Sequence, residues 1–181
     1  MSTLAQRIAP VYRRLIFAGL SLILALAAVI GTVLPSLAQE PPPPPAVEFL
    51  TPTRAQFTDS VSMQIRYKHH GGGTNVLNLK DAGRTVVARF TLQPGARFPW
   101  HTHPGAVIVN VAQGELVYVQ AHDCAQRSYP AGTAFIDPGH PHVHMAYNPT
   151  NGVTVLVATF LGFPADGPLS NTNVTPGDCG I

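Results

Sequence analysis

Charge is scarce in this chain. Only 11% of its 181 residues are Asp, Glu, Lys or Arg, and the formal net charge is +2. Arg7, Arg13 and Arg14 precede the first apolar run, so the remainder carries eight basic against nine acidic side chains. No basic stripe remains that would track a phosphate backbone, and nucleic acid is excluded as a partner class. Sustained helical periodicity is also missing beyond the N-terminus, which argues against a helical or α/β domain. The chain has no Gly-x-Ser-x-Gly elbow, no phosphate loop and no dinucleotide fingerprint. Serine-nucleophile hydrolysis, nucleotide hydrolysis and Rossmann redox chemistry lose their support with them.

What is present begins with an export pattern. Arg13-Arg14 is followed by an apolar run from Leu15 to about Leu34 and by Ser36-Leu37-Ala38, small residues at the −3 and −1 positions of a signal-peptidase site. Residues 1–38 read as a signal peptide cleaved after Ala38. The run also has the length to cross a bilayer, which leaves an uncleaved N-terminal membrane anchor as the alternative. No cysteine lies near the cleavage point, which argues against a lipid anchor. Residues 39–48 hold Pro41 to Pro45, a semi-rigid extended linker. The expected location is extracytoplasmic, periplasmic or secreted. In that oxidising setting the only two cysteines, Cys124 and Cys179, are expected to bridge, against a reading as two free thiols.

From Phe49 the chain breaks into short β-branched and aromatic runs punctuated by Gly, Pro, Asn and Asp. Strands are predicted at 60–68, 74–79, 85–92, 106–112, 115–120, 133–137, 143–147 and 153–161. About eight short strands at this spacing define an all-β sandwich or jelly-roll barrel over 49–162. Residues 163–181 are rich in Gly, Pro, Asn and Thr and form an irregular C-terminal tail held by Cys179.

The histidines carry the chemistry. His101 and His103 stand at i and i+2, which on a strand places both rings on one face. His140, His142 and His144 repeat that spacing about forty residues later. Two such segments can aim imidazoles at one point inside a barrel, and three neutral imidazoles leave coordination positions open. The competing reading is that these are core or turn histidines without a ligand. His69-His70 before Gly71-Gly72-Gly73 reads as an exposed loop, and Trp100 as barrel packing or a rim contact.

Gly95, His101, His103 and Gly114 fall in the register of the first metal-site motif of the cupin superfamily, with Val107 where that motif has Glu. Gly132, Pro138, His144 and Asn148 follow the second, with Gly139 one place early and one residue added before the histidine. The chain thus resembles a single-domain cupin, and the resemblance implies a jelly-roll β-barrel holding a metal on His101, His103 and His144, with His142 as the alternative third ligand. Without the Glu the implied cofactor is a divalent transition metal such as Fe, Zn, Cu or Ni, and Mn is disfavoured. Asp137, Glu115 and Asn110 are the polar residues near the motifs that can supply a missing ligand or base. Val107, Val109 and Phe135 are expected to line the barrel. The implied function is metal-dependent action on a small-molecule substrate, oxygenase- or isomerase-like, with a non-catalytic ligand- or metal-binding barrel as the rival. Pairing through sheet edges into a homodimer is a further implication, and membrane contact is expected only through an uncleaved N-terminal segment.

Overall fold

The computed structural model describes residues 40–51, 54–69 and 72–181. The expected signal or anchor, residues 1–38, lies outside the described residues. Pro41–Ile181 form one compact unit, built of β1 (Ala46–Phe49), β2 (Ala55–Gln56), β3 (Met63–Lys68), β4 (Thr74–Leu79), β5 (Arg84–Leu92), β6 (Arg97–His101), β7 (Ala106–Gln113), β8 (Glu115–Gln120), β9 (Gln126–Pro130), β10 (Ala134–Asp137), β11 (His144–Tyr147) and β12 (Thr154–Phe163). The fold is all-β, as the strand pattern requires.

Alternation decides which face each long strand buries. In β5, Val86, Ala88 and Leu92 turn inward, and in β12, Thr154, Leu156, Ala158 and Phe160 do the same. These strands pair antiparallel over most of their length, and β12 pairs with β7 on its other side. The larger sheet runs β1-β5-β12-β7-β10, with β2 also on β5. A second sheet of order β6-β11-β8-β9 supplies Leu116, Tyr118 and Ala146 to the same apolar cluster. β3 and β4 make a separate two-stranded sheet.

The described residues hold twelve strands where about eight were expected. β1, β2, β6 and β9 are the additions, and each carries a weak strand signature. β6 contains Pro99 and β9 ends in Pro130, and both strands lie at edges of their sheet, where a missing backbone donor is tolerated. β1 follows the prolines directly and pairs with β5 from Ala46↔Thr91 to Phe49↔Ala88, so order begins three residues before the expected start at 49. Beyond Phe163 the described residues form no further strand, and the Cys124–Cys179 disulfide forms, with its Cα atoms 5.3 Å apart.

Candidate metal centre

His101 closes β6 and His144 opens β11, and the antiparallel pairing of those strands sets the two residues opposite each other. His103 follows two residues after His101. Their ring centroids are 4.7 Å apart for His101 and His103, 4.2 Å for His101 and His144, and 5.2 Å for His103 and His144. All three are buried or nearly so, and their donor atoms lie within 4.8 Å of one another.

Each ring is turned by its other nitrogen. Nδ1–H of His101 donates to the Pro99 carbonyl at 2.7 Å, that of His103 to the Leu169 carbonyl at 2.7 Å, and that of His144 to the His142 carbonyl at 3.3 Å. A carbonyl only accepts, so in neutral His101 and His103 the proton sits on Nδ1 and Nε2 keeps a lone pair, while His144 has an acceptor at each nitrogen, the His142 carbonyl at Nδ1 and the Asp137 carboxylate at Nε2. The Nε2 atoms then converge, at 3.2 Å between His101 and His103 and 3.1 Å between His101 and His144. Lone pairs facing one another at that range repel unless a cation sits among them. Bonds of about 2.0–2.2 Å to one metal place neighbouring donors about 3.0–3.5 Å apart. The three histidines fit a metal on both counts. Burial, reinforced by the neighbouring rings of His144 and His103, lowers His101 to about 3, which keeps it neutral. His103 is lowered as well, by burial first, with Asp137 opposing.

Asp137, at the end of β10, enters the same cluster. Its Oδ2 lies 2.8 Å from His144 Nε2 and 3.5 Å from His103 Nε2, while Oδ1 accepts the Gly139 N–H at 2.9 Å. Burial alone would raise this carboxyl, but His144, His103 and the Gly139 N–H outweigh it and hold it lowered. The other two polar candidates stand elsewhere. Glu115 accepts from the Ser128 hydroxyl, and Asn110 is exposed, with its Nδ2 donating to the Val157 carbonyl at 3.4 Å.

His142 does not join the group. It precedes β11 in a turn, is half-buried, and borders surface hollows beside His122. Asn148 serves structure, its Nδ2 donating to the carbonyls of Leu92, Gln93 and Gly152. Trp100 packs against the Val117, Val119 and Met145 cluster, as expected. His69 departs from its reading as exposed: it is buried, stacked on Tyr118 with centroids 6.0 Å apart, because β3 carries it over the barrel.

The cluster lies in the wall of a cavity of about 300 Å³, otherwise lined mainly by apolar side chains including Val107, Val109, Phe135, Phe90 and Phe160. That volume suits a small ligand. No Lys or Arg lines it among the described residues.

The Cupin domain family model matches residues 88–160, which span the histidines, the carboxylate and most of the cavity wall. Over that stretch the chain matches the cupin superfamily. Among solved structures it is similar to a cupin superfamily protein from Desulfitobacterium hafniense (17% identity, 59% of this chain and 81% of that one, TM-score 0.39). It is also similar to a double-stranded β-helix protein from Klebsiella pneumoniae (25%, 45% and 66%, TM-score 0.40). A cupin sugar phosphate isomerase from Silicibacter pomeroyi is similar at 29% identity over 42% of this chain and 50% of that one, with a TM-score of 0.37. No curated protein matches.

Proposed function

We propose that this protein is an exported cupin that holds one divalent transition metal on His101, His103 and His144 and presents it to a small, weakly charged organic substrate for oxygenase- or isomerase-type chemistry. The observation that carries the reading is the convergence of three imidazole Nε2 atoms, each ring with its Nδ1 against a backbone carbonyl, in the wall of an apolar cavity. When bound there, the metal supplies Lewis acidity or oxygen activation. Three protein nitrogens leave positions for substrate, which is what separates a reacting centre from a structural one.

The chain's own residues do the rest. Phe90, Phe98, Phe135 and Phe160 exclude water and hold an apolar body by contact. With no lysine or arginine among the described lining residues, phosphate or multiply anionic substrates find no basic side chain to pair with. Tyr118 lines the cavity, and burial first, then Asp137, pushes its hydroxyl well above the usual range. It therefore stays protonated, and its Oη accepts from Gln120 Nε2 at 3.3 Å, leaving its own proton free to be offered toward the cavity. The export assignment draws support from the disulfide, which suits an oxidising compartment.

Elemental analysis of untagged protein recovered from its export compartment, without added metal, tests the reading. We expect about one Fe, Zn, Cu or Ni per chain, lost in His101→Ala and in His103→Ala with the fold retained by circular dichroism. Metal-free native protein, or equal metal in both variants, overturns it.

A further inference from the structure

We infer that Asp137 is a fourth protein ligand of the metal, so that the centre is three imidazoles and one carboxylate; this rests on the three-histidine reading above. Asp137 is 2% exposed, and Oδ1 is occupied by the Gly139 N–H at 2.9 Å. That bond fixes the carboxyl plane and leaves Oδ2 directed at the converging nitrogens, 2.8 Å from His144 Nε2 and 3.5 Å from His103 Nε2. Both separations match the spacing between neighbouring donors on one metal, about 3.0–3.5 Å, to within the slack of a side chain.

The charge argument points the same way. A carboxylate removed from water needs a cation or a full set of donors. Among the described residues its ion-pair partners are His103 and His144. His103 already spends its Nδ1–H on the Leu169 carbonyl at 2.7 Å, and without a cation the one N–H of neutral His144 is contested between the His142 carbonyl at 3.3 Å and the carboxylate at 2.8 Å. A divalent ion satisfies the three lone pairs and the anion together.

The strand register explains why the carboxylate comes from this position. β10 pairs with β7 so that Asp137 lies directly opposite Val107, and both are buried on the inner face. Residues so paired have Cβ atoms about 4.5–5.5 Å apart and reach the same space. Val107 is the place at which the sequence motif would put a carboxylate, and this chain supplies one from across the ladder. The reason for disfavouring Mn, a site without anionic charge, falls away with it, since a carboxylate ligand restores hard-cation affinity.

Cobalt(II) binding by the full-length protein tests this. Asp137→Asn keeps the shape and the bond to Gly139 but removes the anion. We expect it to retain cobalt on three histidines with affinity lowered by more than ~100-fold, beyond the ~10- to 100-fold that loss of a ligand's hydrogen-bond partner costs. Its visible d–d spectrum should change, and the pair Val107→Glu with Asp137→Ala should regain at least tenfold in affinity. Unchanged affinity, or a smaller loss with an unchanged spectrum, overturns the fourth ligand while the histidine site stands, provided His101→Ala still abolishes binding. No cobalt on the wild-type protein overturns both readings. Should Asp137→Asn not fold, hyperfine-shifted NMR lines of the wild-type cobalt protein decide: an Asp β-methylene pair beside three shifted imidazole N–H lines supports the ligand, and its absence overturns it.

Discussion

At the scale of single residues, His69 shows how burial without a partner becomes a pH effect. Its ring is 7% exposed, stacks on Tyr118 and meets Tyr67 edge-on, and its Nε2 has no hydrogen-bond partner. Burial first, and then the charge of Arg127, lowers its affinity for a proton. The unfolded chain therefore takes up a proton as pH falls through about 6.5, before the folded state does. The stability that His69 contributes as a neutral ring is complete above that pH and drains away below it. His69→Phe keeps the packing and removes both the unpaired nitrogen and the titration. Urea melts should show it about 1 kcal/mol more stable than wild type at pH 8, with the gap widening at pH 5. A variant with the same pH slope as wild type would sink the idea. Individual residues were legible in the sequence where spacing carried the information. His101, His103 and His144 meet as the i, i+2 pattern and the distance to Asn148 suggested. Burial of His69 was not legible, because a histidine pair before a glycine run reads as a loop, and only the placement of β3 over the barrel turns one ring inward.

At the scale of elements, the centre depends on two loops that touch backbone to backbone. Gly139, between β10 and β11, has φ of +73°, and a Cβ there would lie 2.2 Å from the Gly105 carbonyl oxygen and 3.0 Å from that of His103. His140 N–H donates to the same His103 carbonyl at 2.8 Å. Glycine at 139 therefore allows the segment that ends in Asp137 to sit against the segment that carries His103. Gly139→Ala must separate them, since the clash is with backbone. We expect a stability loss of about 1–3 kcal/mol and at least tenfold weaker zinc binding, read by denaturant melts and chelator competition. Zinc affinity equal to wild type would show that the loops tolerate separation. Strands were legible in proportion to their alternation. The predictions at 74–79 and 115–120 coincide with β4 and β8, and those at 85–92 and 153–161 lie within one or two residues of β5 and β12. β6 and β9 are proline-bearing edges and β1 follows a proline run, so local propensity alone points away from them; long-range pairing makes them strands. The position of Asp137 opposite Val107 is likewise a fact of register, which no single-segment pattern contains.

At the scale of the whole molecule, the irregular tail is part of the centre. Leu169 gives its carbonyl to His103 Nδ1–H at 2.7 Å, and Asn171 makes an antiparallel bridge with Thr102, exchanging backbone bonds of 3.0 and 2.8 Å. The residue between the two site histidines is thus clamped by a segment nearly seventy residues further along the chain. No strand continues from that bridge, so the tail's own backbone bonds are few, and its end is held instead by Cys179 to Cys124 in the turn after β8. That bridge closes a loop of 55 residues, which in the chain-entropy account stabilises the fold by about 4 kcal/mol. Replacing both cysteines with serine should lower unfolding free energy by roughly that amount, measured in urea at pH 7. If the tail also orients His103, the serine pair should in addition bind zinc several-fold more weakly at urea-free conditions where it remains folded. Truncation before Leu169 should do so more severely, because it removes the acceptor that keeps the proton on Nδ1 and the lone pair on Nε2. Lower stability with unchanged zinc affinity in both variants would confine the tail to a structural role, leaving the ring of His103 to be fixed by the barrel alone.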